Sequence, residues 1–198
     1  HVQAMLAEIG KHWGKLSHHA MLGHIARSGS IMLGAIIDIG SQRDWSRHKS
    51  CSVHLPFADN GYATADSLKL GIAYCPYLTD LHPELDRVRE QYAEHNERQL
   101  ELSEQFADCY EGKNRETLLK YTLPLGMRAP ITIASDISSL HYMLKLRVRN
   151  GGHIAYRQLA ERWIKALSEQ NTLYKHLFES QIADPVDATS FEQFIDRS

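Results

Sequence analysis

The sequence is short of cysteine: Cys51, Cys75 and Cys109 are its only three, and none forms a C-x-x-C pair. An odd, widely spaced set argues for a reduced, cytoplasmic setting over a disulfide scaffold. Apolar runs are also short. None reaches the roughly 20 residues of a membrane span, and no signal-peptide pattern is present. No excess of one charge exists, since 22 Lys and Arg meet 24 Asp and Glu for a net charge of −2. Wholesale nucleic-acid binding is therefore not expected, and any anion site must be local. G-x-S-x-G, the P-loop, H-E-x-x-H and G-x-G-x-x-G are all missing, so covalent catalysis by the protein is not indicated. The 12 histidines are scattered. His18 and His24 stand six apart, a poor spacing for two ligands on one helix, so no metal site is expected.

What is present suits one domain with a substantial core: 198 residues, 43% apolar and 23% charged. Val2, Met5, Leu6, Ile9, Trp13 and Leu16 recur at helical spacing, predicting an amphipathic helix over 2–16. A short strand is expected over 23–29. Ser30 reads as the N-cap of a helix that begins at Ile31, crosses the apolar run to Ile37 and continues into Gly40–Lys49. Residues 50–83 carry Pro56, Asn60-Gly61, Gly71, Pro76 and Pro83 and read as a long turn-rich loop. Residues 84–111 form a charge-rich helix, exposed or facing another subunit, without sustained heptads. A helical turn over 115–122 precedes a strand over 125–134. Ser135 or Asp136 caps a helix from Ile137 to Arg147, Asn150-Gly151-Gly152 stops it, and a further helix follows over 153–167. Residues 172–196 read as a helical tail interrupted at Asp184-Pro185.

Chemistry concentrates in Gly40-Ser41-Gln42-Arg43-Asp44-Trp45-Ser46-Arg47-His48-Lys49. In a helix, Arg43, Asp44, Arg47 and His48 fall three or four apart on one side. Such a cluster suits a phosphate or another anion, though an ordinary solvated helix end reads from the same residues. Lys120, Arg147, His153 and Arg157 are further candidate cations. Arginine forks match carboxylate, phosphate or uracil-type acceptors. A site of such groups binds anions and leaves the difficult chemistry to a cofactor.

The pattern Gly40-x-x-Arg43-Asp44-x-x-Arg47-His48-Lys49 resembles the signature of the flavin-dependent thymidylate synthases, in the branch written G-x-x-R-D-x-x-R-H-R. His18-x-Ala-Met-Leu-Gly-His24 is similar to that family's H-x-S-P-F-E-H. Lys120-x-x-x-Pro124-Leu125, Leu140-His-Tyr-Met-Leu-Lys-Leu146-Arg147 and Tyr156-Arg157-Gln158-Leu159-Ala160-Glu161 resemble its R-x-x-L-P-L, S-L-x-x-F-L-x-L-R and E-I-R-Q-Y-A-E. The resemblance covers residues 18–49 and 116–167, and Pro124 to Arg147 aligns without a gap. It implies an α/β (α+β) fold with an antiparallel sheet and several long helices, assembled as a homotetramer. It implies FAD at subunit interfaces, reduced by NADPH, a pyrimidine nucleotide stacked on the flavin, and methylenetetrahydrofolate as one-carbon donor. Carried over residue by residue, Arg47, His48, Lys49, Asp136, Ser138 and Tyr142 would hold FAD. Asp44, Arg47, Lys120 and Arg147 would hold the nucleotide. Arg147 would face the pyrimidine and act in catalysis by favouring ionisation at N3.

The chain departs from the family at several of these positions. Lys49 replaces an arginine. The family's Ser-x-Arg after the signature falls on Phe57-Ala58-Asp59, and its flavin-binding N-x-R reads Asp136-Ile137-Ser138. Its histidine after Arg147 falls on Gly151, with His153 two positions on. The expected activity is C5-methylation of dUMP or UMP, the latter as in nucleoside-antibiotic pathways. C5-hydroxymethylation, a catalytically inactive relative and a helical interaction module over 84–111 are the alternatives.

Overall fold

The computed structural model describes residues 1–15, 29–55, 86–112, 114, 121–122 and 124–182. His18, His24, most of the strand expected over 23–29, the loop beyond Leu55, Cys75, the turn up to Lys120 and the tail beyond Ile182 lie outside the described residues.

The first helix, α1, spans Val2–Gly14. It lies along a short late helix, Thr172–Phe178, with Gly10 at the crossing. A Cβ at Gly10 would stand 2.8 Å from both the His176 Cβ and the Leu173 carbonyl oxygen. Gly10→Ala gains about 1 kcal/mol of helix propensity. It also forces two backbones apart, at a cost of about 1–3 kcal/mol. The expected result is a net fall in stability, read as a lower urea midpoint.

Residues 31–38 correct the sequence reading: they form a strand, β1 (Ile31–Asp38), and not the first half of a helix. A wholly apolar run has no polar residues to reveal its period. The structure supplies the alternation, with Ile31, Leu33, Ala35 and Ile37 turned inward and Met32, Gly34 and Ile36 exposed. Gly34 and three β-branched isoleucines disfavour helix in the same stretch. The N-cap is accordingly Asp38 and not Ser30. The Asp38 carboxylate accepts from the Ser41 amide at 2.7 Å and starts α2, Ile39–Trp45.

β1 pairs antiparallel with β3, Arg128–Ser135, from Ile31 opposite Ser135 to Asp38 opposite Arg128. On the other side of β3 lies the short strand β2, Ser52–His54, giving the order β1-β3-β2. β3 was expected three residues earlier, at 125. One face of the sheet carries Ile37, Ile131 and Ile133 into the core. On the other face Met32 and Ile36 are 73% and 56% exposed, so among the described residues the sheet is covered on one side only. The long helix α3, Asp86–Asp108, leaves Val88, Tyr92, Leu102 and Phe106 exposed, consistent with the expectation of an outward-facing helix.

β3 leads directly into α4, Ile137–Arg147. Asp136 caps it as expected, its carboxylate taking the Ser139 amide and hydroxyl, both at 2.9 Å. After the turn at Gly151, where φ is +88°, comes α5, Ile154–Gln170. His153 caps α5 by accepting from the Ala155 amide at 3.4 Å. α5 lays Leu159, Trp163, Ile164 and Leu167 against the sheet, and α4 adds Leu140, Met143 and Leu144. The Thr172–Phe178 helix, α6, closes the core with Leu177 and Phe178.

Candidate functional site

The site forms where α2 ends. The last four carbonyls of a helix have no partner within it, and here each finds one. Gln42 O accepts from the Ser46 amide at 3.0 Å, Arg43 O from the Ser46 hydroxyl at 2.8 Å, and Trp45 O from the His48 amide at 3.2 Å. The fourth, Asp44 O, accepts from Nη2 of Arg147, the final residue of α4. A cation at a helix C-terminus also suits the dipole. Arg147, more than 100 residues away in sequence, thereby joins Asp44 and His48. Its guanidinium carbon lies 5.1 Å from the Tyr156 ring centre and 6.0 Å from that of Trp45.

Trp45 is fully buried and meets Trp163 edge-to-face at 4.9 Å. Gln42 ties α2 to β3, its amide donating to the carbonyls of Ala129 at 3.0 Å and Pro130 at 3.3 Å. These contacts fix the frame on which the charged groups stand. Outside it, Arg47 reaches the Asp44 carboxylate at 3.4 Å but stays largely exposed, as does Lys49. An exposed pair of this kind adds at most about 1 kcal/mol, so Arg47 can turn to an incoming anion cheaply.

His48 is the group most altered by its surroundings. Burial, and after it the charge of Arg147, push its pKa down from 6.5 to about 4. Its Nε2, like Nε of Arg147, is buried with no hydrogen-bond partner among the described residues. The imidazole is therefore neutral at physiological pH. Between pH 6.5 and about 4 the unfolded chain holds a proton on His48 that the folded chain does not. Stability is thus full above that window, falls as pH drops through it and levels off below. His48→Gln should flatten that limb of a plot of denaturation midpoint against pH, and an unchanged limb would contradict the assignment.

The other expected site residues divide. Asp136 and Ser138 lie at the far end of α4, about 16 Å and about 13 Å from Arg147 at 1.5 Å per residue. Asp136 is engaged in its cap and Ser138 is buried. Tyr142 stands half-buried between the two ends. Arg157 is not a surface cation: it is buried, and its Nη2 donates to Asn150 Oδ1 at 2.6 Å, bracing the turn before α5. Lys120 lies outside the described residues. Cys51 is buried under the Ser135 hydroxyl at 3.2 Å, and burial raises its thiol pKa, so it is no ready nucleophile. Among the described residues no three His, Cys, Asp or Glu side chains group closely enough for a metal ion, and no helix is long and apolar enough to cross a membrane. Sequence reasoning missed Trp45 and Tyr156. Each stands inside a stretch quoted above, but an aromatic at helical spacing reads first as core.

No protein-family model matches the chain, and no curated protein matches it in sequence. Among solved structures it is similar to thymidylate synthase X from Helicobacter pylori, determined with FAD and dUMP. The match has a TM-score of 0.57 and 18% identity, and covers 90% of this chain and 83% of that one. The fold is that of thymidylate synthase X. This bears out the expected architecture, an antiparallel sheet packed on long helices. At 18% identity the thymidylate synthase X likeness concerns the backbone, and the chemistry of this chain rests on its own side chains.

Proposed function

We propose that the chain is a flavin-dependent enzyme methylating C5 of a pyrimidine nucleotide, dUMP or UMP. Methylenetetrahydrofolate would supply the one-carbon unit, and NADPH the reducing equivalents through FAD. The observation that carries this reading is the convergence of Asp44, Arg47, His48 and Arg147 at one helix end, in a fold whose solved example holds FAD and dUMP.

The residues fit such a cofactor. Arg47 and Lys49 are accessible cations suited to a pyrophosphate, and the buried Nε2 of His48, without a partner among the described residues, is open to an acceptor or donor that a ligand could supply. FAD, when bound, supplies the redox chemistry that the protein's side chains lack. Arg147 donates to a single described acceptor, Asp44 O, and presents a fixed positive charge for the pyrimidine, where it would stabilise negative charge developing at N3. Asp44 would orient Arg47 toward the nucleotide, and Lys120 would take its phosphate. Asp136, Ser138 and Tyr142 would meet the flavin from a neighbouring protomer of a homotetramer. Apolar surface for such an assembly is available at Met32 and Ile36 on the open sheet face and along α3.

The visible spectrum of the purified protein is the first test, followed by FAD titration. A yellow protein, or one that takes up FAD, supports the reading. A colourless protein that takes up none marks a flavin-free relative. Product mass after incubation with UMP, dUMP and dCMP then separates methylation from hydroxymethylation and identifies the base and sugar.

A further inference from the structure

We propose that Tyr156 is a positioning residue: its ring, held over Gly152, fixes the Arg147 guanidinium in the place where the proposed function needs it. This inference rests on that functional reading for its consequence in turnover, but not for its geometry.

Arginine has a long, freely rotating stem, so a charge at the end of α4 is placed only if something holds its head. One hydrogen bond to Asp44 O fixes one nitrogen and leaves the plane free to swing about it. Two aromatic faces border the guanidinium, Trp45 at 6.0 Å and Tyr156 at 5.1 Å. Trp45 is locked by the core, with no exposed surface. Tyr156 is half-buried and on the first turn of α5, so it is the adjustable wall. Two features hold it. The turn at Gly151 brings the start of α5 back against the end of α4. Gly152 then leaves room for the phenol: a Cβ there would stand 2.7 Å from ring atoms Cε2 and Cζ of Tyr156. Gly152 does not need its glycine for backbone reasons, since its φ is not in the left-handed region. Its lack of a side chain is therefore a matter of space for Tyr156. The His153 ring borders Tyr156 on another side at 6.4 Å between centres.

The geometry separates ring face from hydroxyl. A cation over an aromatic face needs the π-system, which phenylalanine keeps and leucine does not. Gly152→Ala leaves Tyr156 in the sequence but pushes its ring aside. If Tyr156→Leu fails to fold, this second variant carries the test.

His48 reports where the guanidinium sits, because, after burial, the charge of Arg147 holds its pKa low. The experiment is an NMR titration of His48 in the purified protein without nucleotide, paired with steady-state turnover on dUMP and UMP. Tyr156→Leu and Gly152→Ala should each move the His48 titration up toward 6.5. They should lower kcat by about tenfold and change nucleotide KM by no more than about twofold. Tyr156→Phe should restore both quantities to near the parent values. A His48 titration unmoved by both Tyr156→Leu and Gly152→Ala overturns the proposal, as does a Tyr156→Phe variant as impaired as Tyr156→Leu. If His48 moves while turnover does not, Tyr156 does position Arg147, and it is the catalytic reading of Arg147 that fails.

Discussion

Arg147→Ala is expected to lower turnover by about 10²–10³-fold, the loss of roughly 2.7–4 kcal/mol seen when one preorganised donor to a developing anion is removed. The expectation follows from where the guanidinium stands. It is a half-buried charge that ends α4, answers the carbonyl of Asp44 and borders two aromatic rings. Alanine removes all of this and leaves Asp44 O without its partner. FAD uptake should survive, because Arg47 and Lys49, the cations proposed for the pyrophosphate, keep their places: Arg47 is paired with Asp44, and both stand largely exposed. Steady-state kinetics beside a flavin titration decide the matter. Equal loss of FAD binding and turnover would move Arg147 from the pyrimidine to the cofactor. Arg147→Lys tests geometry separately: it keeps the charge but not the fork, and it should recover only part of the rate.

The helices that carry polar residues were the most legible from sequence. Asp136 before Ile137, and the Asn150-Gly151-Gly152 stop, set α4 and the start of α5 correctly because caps and left-handed glycines act locally. The run from Ile31 to Ile37 was not legible, since strand and buried helix are both uniformly apolar and only pairing with β3 decides between them. Asp38 was legible in principle as an N-cap after that run, with Ser41 three residues on. The site divides in the same way. Arg43 to Lys49 is visible as a local cluster, whereas the meeting of Asp44 with Arg147 is a product of tertiary packing. No spacing rule connects positions 44 and 147; only the resemblance to a family pattern put them in one site, and the hydrogen bond from the last residue of α4 to a carbonyl of α2 is what joins them. His48 illustrates the remainder. Its residue type announces a titration near neutrality, while its displacement to about 4 comes from burial and a cation that the sequence places a hundred residues away.

Trp45→Ala should produce a large loss of stability, about 3–5 kcal/mol, against a total of about 5–15 kcal/mol for a domain of this kind. Trp45 has no exposed surface and stands at the junction of three parts: the end of α2, the ring of Trp163 on α5 and the guanidinium of Arg147. Truncation opens a cavity that the surrounding helices cannot fill without moving α2, and α2 is held in place by Gln42 on β3. Trp163 would lose the edge-to-face partner opposite its own bond to Gly34 O, which is 3.4 Å long. Trp45→Phe should retain more stability than alanine. It keeps an aromatic edge against Trp163, and it removes an indole N–H that is buried with no acceptor among the described residues. Urea denaturation of the two variants, followed by circular dichroism, measures the difference. A Trp45→Ala loss below about 1 kcal/mol would mean that the site collapses freely, and that the tryptophan pair is not what braces the helix end on which Asp44, Arg47 and His48 depend.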